Sequence, residues 1–266
     1  LLNHQPMGFW TPAVLINDAR RHGITTAGVD IDLSQADCST TADRIRLGLR
    51  YVRGLSAETA QQIVAARADR PFSGLAEFCQ RTRLPRSLVE NLIAAGAMDG
   101  WGASRRTLFW NLGLLPATPD GLALPLPEEP VHLPPLSHPE QHQLEIAMTG
   151  LTTGDPPLQA WRPQLRQRGI LSSADLPQQP SGTSAQAAGL LVVHQAPPTA
   201  KGYRFLTLED EFGFINVIVR PAIYLRFRRI IRTQPLLLVA DEVQQERGVT
   251  NLLARQFWPL RSFNTL

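Results

Sequence analysis

The chain has 266 residues, 43% of them hydrophobic, which is enough for two small domains or one large one. Its formal net charge is +3. The basic residues are almost all arginine, and Lys201 is the single lysine. No apolar run approaches the roughly 18 residues of a membrane span, and the start lacks a signal-peptide pattern, so no membrane partner is expected. Cys38 and Cys79 lack metal-site spacing, which favours a reducing compartment.

The first predicted elements are a helix and a short extended piece, in a segment assigned to residues 1–39. The helix begins near Pro12, carries periodic apolar side chains over residues 13–21, and ends at His22-Gly23. Residues 28–33 are expected to be extended. The chain begins at Leu1 rather than Met, so we expect a fragment of a longer protein.

Residues 46–63 predict two short helices joined by a tight turn at residues 53–56. Gly54 can adopt a backbone conformation closed to other residues, and Ser56 can cap the helix that follows. Free N–H groups at that helix start carry partial positive charge and suit a phosphate. The pattern is that of a helix-hairpin-helix, which binds nucleic-acid backbone without specifying sequence. Its candidate DNA-binding residues are Arg50, Arg53, Gly54, Leu55, Ser56 and Thr59, with Arg44 and Arg46 nearby. An ordinary helical hairpin with a solvated basic face is the alternative.

Short helices are expected to fill the rest of a domain over residues 40–115. They cover residues 75–81 and 85–95, and another begins near Ser104; residues 96–99 close the bundle. Residues 116–139 contain eight prolines, which lack the N–H donor and fix φ. We therefore predict an extended linker, followed by a helical connector anchored by Trp161 and Leu165, over residues 116–182.

The hydrophobic period changes to two in the last segment, residues 183–266. Five strands are predicted, at residues 189–194, 203–208, 214–219, 236–239 and 251–254, with a helix at 222–232 between the third and fourth. That layout is typical of an OB-fold, a small barrel that binds oligonucleotides across its second and third strands. The expected fold class is multidomain α+β: a helical region with a helix-hairpin-helix, a proline-rich connection, and a five-stranded OB-fold barrel.

The second strand of the barrel offers a candidate stacking surface. Alternation places Phe205 and Thr207 on one face and Leu206 and Leu208 on the other, and we expect Phe205 to point outward near Lys201. A core position for Phe205 is the alternative. Arginines around the helix at 222–232 can follow phosphates or form a solvated face. The candidate nucleic-acid-binding residues are Lys201, Tyr203, Arg204, Phe205, Arg220 and Arg228.

No constellation of catalytic residues is recognisable. Asp30 and Asp32 alternate as paired metal carboxylates can, but no third carboxylate supports them. His138 and His142 are four apart, and a zinc site needs more ligands than are visible there. Phosphate-cradling glycine loops and nucleophile elbows are missing from the sequence. We therefore expect this chain to bind rather than to react, with no catalytic, metal or cofactor site.

Three stretches together resemble the C-terminal part of bacterial C-family DNA polymerases: residues 45–63, 92–99 and 201–213. Residues 1–10 and 18–23 resemble the error-prone branch of that family, used in damage-induced translesion synthesis. The resemblance implies template-directed nucleotidyl transfer with Mg²⁺ held by palm carboxylates outside this sequence, so no catalytic residue is carried over. It also implies a bacterial cytoplasmic, nucleoid-associated protein.

The same resemblance implies the partners. The hairpin is expected to bind primer–template duplex, and the OB-fold to contact single-stranded template or accessory proteins. A sliding-clamp peptide of the Gln-x-x-Leu-Phe type is missing from the sequence, so accessory translesion proteins are expected to recruit the chain and any clamp contact to be indirect. Two alternatives remain open: a protein-interaction scaffold, and an RNA-binding module, because residues 205–210 also resemble the anticodon-binding OB-fold of class II aminoacyl-tRNA synthetases.

Overall fold

The computed structural model describes residues 1–8, 10–116, 133–151, 153–154, 156, 158–246 and 248–260. The predicted proline-rich linker therefore lies mostly outside the described residues. The chain divides into two compact units, one formed by Leu1–Met7 with His22–Gly154 and the other by Gly8–Arg21 with Asp155–Leu266. This division groups the chain differently from the four predicted segments, because residues 8–21 join the C-terminal unit.

The first helix of the chain, α1 (Pro12–Arg21), begins and ends as the sequence predicts, and it belongs to the second unit. The first unit opens with a small sheet in which a central strand pairs parallel to one neighbour and antiparallel to the other. These strands are β1 (Thr25–Ala27), β2 (Ser39–Thr40) and β3 (Arg44–Arg46), in the order β1-β3-β2. The extended piece predicted at residues 28–33 is wrong. Residues 31–33 form a turn instead, because Asp30 Oδ1 accepts the N–H groups of Asp32 and Leu33.

Five α helices complete the described part of the first unit: α2 (Ala57–Ala66), α3 (Leu75–Thr82), α4 (Arg86–Ala94), α5 (Arg105–Leu114) and α6 (His138–Thr149). Serine caps begin two of these helices, and the cap at Ser56 is the one that the sequence predicts. Ser56 Oγ accepts the N–H of Thr59, and Ser104 Oγ accepts the N–H of Thr107. Each helix is short and marginal alone, so its stability comes from packing an apolar face. Buried side chains at that packed centre include Ile63, Phe78, Leu92, Ile93 and Met98.

The second unit is built on a closed five-stranded barrel. Its elements are α7 (Arg162–Gln167), β4 (Ser184–Gln195), β5 (Arg204–Glu209), β6 (Phe214–Val219), α8 (Pro221–Thr233), β7 (Leu236–Glu246) and β8 (Val249–Pro259). The barrel order is β4-β5-β6-β8-β7, and among the described strand pairs of the barrel only β6–β8 is parallel. The helix between the third and fourth barrel strands confirms the predicted OB-type layout. Three strands, β4, β7 and β8, are longer than predicted, and β4 begins at Ser184, five residues before its predicted start.

The barrel has a close-packed apolar interior. Leu206, Leu208, Val217 and Val219 point inward from β5 and β6 and are buried, as period-two alternation requires. A Cβ at position 189 of β4 would lie 2.6 Å from the Leu208 Cβ, so only glycine lets these strands approach this closely. Helix α8 packs its apolar side against the same core.

Helices in the described part of the chain are too short or too polar to cross a bilayer.

Candidate nucleic-acid interface

The hairpin turn of the first unit has the geometry of an anion-binding loop. Gly54 lies at φ 85°, a left-handed conformation that favours glycine. The amide N–H groups of residues 54, 56, 57 and 58 donate to no group among the described residues, and all four residues are exposed. Free amides at a helix start point outward and carry partial positive charge. The turn before α2 therefore presents donors that suit a phosphate oxygen.

Neighbouring helices fix this turn from both sides. The Arg53 N–H donates to the Met148 carbonyl of α6 at 2.7 Å, and the Arg53 carbonyl accepts from Asn91 Nδ2 of α4 at 2.9 Å. Leu55, which the sequence predicts as a DNA-binding residue, is buried below the turn, so it packs within the fold and its side chain is not placed to contact a ligand. Thr59 gives its N–H to the cap, and its hydroxyl lies 2.9 Å from Ser56 Oγ. The free amides are thus presented on a rigid support.

The element before the turn differs from the prediction. A full first helix was expected, but the structure has a single 3₁₀ turn at Leu49–Tyr51, preceded by strand β3. Gly48 explains the difference, because a Cβ there would lie 2.3 Å from the Asp37 carbonyl carbon. The chain at residue 48 therefore runs extended against residues 36–38 and leaves too few residues for a helix to nucleate before the hairpin.

The arginines expected to crowd the hairpin separate into two groups. Arg50 pairs with Asp37 at 2.7 Å and donates to the Asn3 carbonyl at 2.8 Å, and Arg46 faces Asp30 and the Gly28 carbonyl. These two guanidinium groups bind within the fold. Arg53 and Arg44 are exposed and have no ion pair among the described residues. Of the basic hairpin candidates, Arg53 is the one positioned to meet a ligand.

The segment Gly96-Ala97-Met98-Asp99 packs against a buried arginine, Arg105. Arg105 is 5% exposed and binds Asp99, Glu145 of α6 and the Ala94 carbonyl. These carboxylates keep the pKa of Arg105 above its ordinary value in spite of burial. A Cβ at Gly96 would lie 2.3 Å from Arg105 Nη2, so glycine is required there. Arg105 lies in the first turn of α5, and its local sequence does not indicate that its side chain points inward.

The two aspartates considered as metal ligands are committed to the fold. Asp30 Oδ1 caps its own turn, and Asp32 Oδ2 accepts the indole N–H of Trp101 at 2.8 Å. Within the described residues, no group of three or more His, Cys, Asp or Glu side chains could hold a metal ion. These residues do not fit a Mg²⁺ site.

The outer face of β5 and β6 carries the second set of candidates. Phe205 is 37% exposed and pairs across the strands with Ile218, while Thr207 pairs with Asn216. The alternative that Phe205 belongs to the barrel core is therefore wrong. Tyr203 is 36% exposed just before β5, and Lys201 is exposed beside it. These side chains form an accessible aromatic and basic edge.

The far end of the same face is covered by α1. Glu209 of β5 is 3% exposed and accepts from Arg21 Nη1 at 2.8 Å and from Asn17 Nδ2 at 3.1 Å. Burial raises the pKa of Glu209, although both hydrogen bonds oppose that shift. Trp10 lies 5.5 Å from the Phe214 ring, and Arg21 lies over the same ring. The open part of the strand face is therefore its Phe205 half.

Asp210 stabilises the turn between β5 and β6. Its Oδ1 accepts the N–H groups of Phe212 and Gly213, and the Ser173 N–H donates to its Oδ2 at 2.7 Å. Arg162, which is 5% exposed, binds Asp210 and Glu211. The acidic residues at positions 209–211 thus stabilise the fold.

The remaining barrel candidates lie at the start of α8. Arg204 places its guanidinium 4.7 Å from the centroid of the Tyr224 ring, and Arg220 is the exposed residue that precedes the helix. Arg228 is exposed on α8. A Cβ on Gly202 would lie 3.3 Å from Pro221 Cγ, so the loop that carries Lys201 borders the helix start.

Comparisons with known proteins give one consistent result. The helix-hairpin-helix motif family matches residues 23–108. An error-prone DNA polymerase of Alkalilimnicola ehrlichii is 39% identical over 96% of this chain and 25% of its own length. One from Bdellovibrio bacteriovorus is 34% identical over 98% of this chain and 27% of its own. Asparaginyl-tRNA synthetase from Pyrococcus horikoshii shares 15% identity over 34% of this chain and 23% of its own, and its TM-score of 0.30 is too low to inform function.

Proposed function

We propose that this chain, which spans about a quarter of the length of the error-prone DNA polymerases that it matches, is the noncatalytic, DNA-binding C-terminal region of such a polymerase. The full-length polymerase would perform DNA-directed nucleotidyl transfer in damage-induced translesion synthesis, using Mg²⁺ bound by a palm domain. The role proposed for this region is to keep the enzyme on DNA. A polymerase of a bacterial chromosome works in the cytoplasm at the nucleoid, and that is the proposed location.

The observation that carries the proposal is the hairpin turn. Its outward amides and the exposed Arg53 lie together within the matched helix-hairpin-helix stretch. Amides and an arginine contact phosphate oxygens, which are the same in every sequence. The turn is fixed by α4 and α6, so little ordering entropy is lost on binding. This arrangement supports sequence-independent binding of primer–template duplex.

The barrel is proposed to contact single-stranded template or accessory translesion proteins. Phe205 and Tyr203 are half-exposed aromatic rings next to Lys201, and stacking on such rings accepts any base. Recruitment by accessory proteins, with any sliding-clamp contact indirect, is part of the proposal.

Charge reversal at Arg53 tests the hairpin. The Arg53→Glu variant keeps both backbone hydrogen bonds of the turn but places a carboxylate beside the free amides. We expect duplex affinity to fall roughly tenfold and the salt slope of binding to decrease by about 1. Fluorescence anisotropy with a labelled duplex measures both quantities.

A matched variant controls for net charge. Arg166 is exposed on α7, and Arg166→Glu makes the same charge change in the other unit. We expect its duplex affinity to stay within about twofold of the unmodified chain, since exposed charges at a distance are screened by salt. Equal losses in both variants, or none in Arg53→Glu, would refute the role of the hairpin.

A further inference from the structure

Helix α8 carries an unusual concentration of positive charge. Its thirteen residues include four arginines and no acidic residue, and Arg220 precedes them. Tyr224, Arg228 and Arg232 are spaced by four residues, so they form one row along the helix, with successive side chains about 6 Å apart along the axis. We call these three residues the α8 row.

Two barrel strands place further groups beside the α8 row. The His194 ring of β4 lies 5.6 Å from the Tyr224 ring, and the Arg204 guanidinium of β5 lies 4.7 Å from the same ring. Burial, followed by the positive charges of Arg204 and Arg232, lowers the pKa of His194. Three elements therefore bring basic groups together around Tyr224.

The part of the chain that the structure describes does not balance this charge. Among the described residues, no carboxylate lies within ion-pair distance of Arg204, Arg228 or Arg232. By contrast, Arg21, Arg162 and Arg255 of the same unit bind carboxylates. An unpaired cluster on a solvent-facing helix indicates a ligand that supplies the negative charge.

The residues around the α8 row indicate which kind of negatively charged ligand it would bind. The loop of Lys201 and Gly202 borders Pro221 at the start of α8, and it leads directly to the exposed rings of Tyr203 and Phe205. Aromatic rings next to a row of arginines match the alternation of bases and phosphates in a single strand. An acidic peptide would use the arginines but would have less use for the rings. The arginine fork also matches phosphate geometry.

We infer that the α8 row, with Arg204, binds the phosphates of single-stranded nucleic acid as the strand leaves the Tyr203–Phe205 edge of the barrel. This inference rests on the proposed DNA-binding function and extends it to a surface outside the β5–β6 face. The strand would run from stacked bases on β5 to the arginines on α8.

Single and double substitutions measure the phosphate contacts. Arg228→Gln and Arg232→Gln are compared with Arg166→Gln, an exposed arginine of α7, in binding a labelled oligo-dT across a salt series. Each α8 substitution should reduce the salt slope by about 0.7, and the double variant by roughly 1.4, because each phosphate contact releases counterions. Arg166→Gln should leave the slope unchanged, and thermal melting verifies that each variant is folded.

The pKa of His194 reports on phosphate binding next to the α8 row. Phosphates bound between Arg204 and Arg232 would offset their positive charge, so adding oligo-dT should raise the pKa of His194 in an NMR titration. An unchanged salt slope with unchanged His194 titration, while the native chain still binds oligo-dT, would overturn this inference and leave the proposed function standing. A rise in the His194 pKa caused by an aspartate-rich peptide but not by oligo-dT would overturn it in favour of a protein partner. Absence of any DNA binding by the native chain would instead contradict the proposed function.

Discussion

Several positions in this chain require a particular residue type for a structural reason that the local sequence does not reveal. Gly48 is needed because a Cβ there would collide with backbone, and Gly54 and Gly96 both adopt a positive φ that favours glycine. Glu209 and Asp210, part of the stretch that resembles a family motif, bind Arg21 and Arg162 inside their own unit. Resemblance in such residues therefore identifies a fold, and the exposed residues Arg53, Tyr203 and Phe205 carry the functional proposal.

Gly54→Ala tests the conformation of the hairpin. Alanine at φ 85° costs about 1–2 kcal/mol, and its Cβ would lie 3.0 Å from Leu88 Cδ2. We expect that loss in the free energy of unfolding by urea titration, together with weaker duplex binding, because the free amides move.

Gly102→Ala is the matched control for that substitution. Gly102 has φ 78° and open space where a Cβ would stand, so it brings similar backbone strain away from the hairpin. Its stability should fall by a similar amount while its DNA affinity is retained. Equal DNA affinity of the two variants would show that the turn geometry does not matter for binding.

At the scale of elements, ion pairs tie neighbouring segments of the first unit together. Arg105 of α5 joins the segment after α4 to Glu145 of α6. Glu77 of α3 accepts from the Ser73 N–H and Oγ and pairs with Arg70 and Arg81. Such contacts stabilise short helices that would be marginal alone.

Glu77 makes the stability of the first unit vary with pH in the acid range. Its hydrogen bonds from Ser73, together with Arg70 and Arg81, lower its pKa from 4.5 to about 2. A lowered folded-state pKa gives stability that is present above pH 4.5 and is lost as the pH falls towards 2. Glu77→Gln should therefore be less stable than the native chain at pH 7, and the difference should shrink between pH 4.5 and 2 in urea unfolding.

Glu90→Gln serves as the comparison, because Glu90 pairs with Arg86 on the exposed side of α4. Exposed pairs of this spacing contribute only about 0.3–0.5 kcal/mol. A Glu77→Gln stability difference that is the same at every pH would contradict the assigned role of this carboxylate.

Much of the element pattern was predictable from sequence, and the failures have a common cause. Period-two alternation predicted the barrel strands, a helix was predicted between the third and fourth strands, and the cap residue Ser56 predicted the start of α2. The missing first hairpin helix and the inward position of Arg105 depend on contacts with residues far away in sequence. Asn17 and Arg21 bind Glu209 across about 190 residues of chain, and no local pattern reveals that contact. Local signals predict elements, whereas burial is decided by long-range packing.

At the scale of the whole molecule, each compact unit carries one surface suited to nucleic acid. The first presents the hairpin amides with Arg53, and the second presents the Tyr203–Phe205 edge with the α8 row. One surface lacks aromatic rings and suits duplex backbone, while the other combines rings with arginines and suits a single strand. A primer–template junction contains both kinds of DNA, so we expect the chain to bind it more tightly than either kind alone.

The most direct measurement is therefore the affinity of the purified chain for a fluorescent primer–template junction, against blunt duplex and single strand, across a salt series. The account predicts submicromolar binding that favours the junction and weakens steeply as salt rises, since both surfaces contact phosphates. Failure to bind any of the three DNAs at low salt would contradict the claim that this region binds DNA.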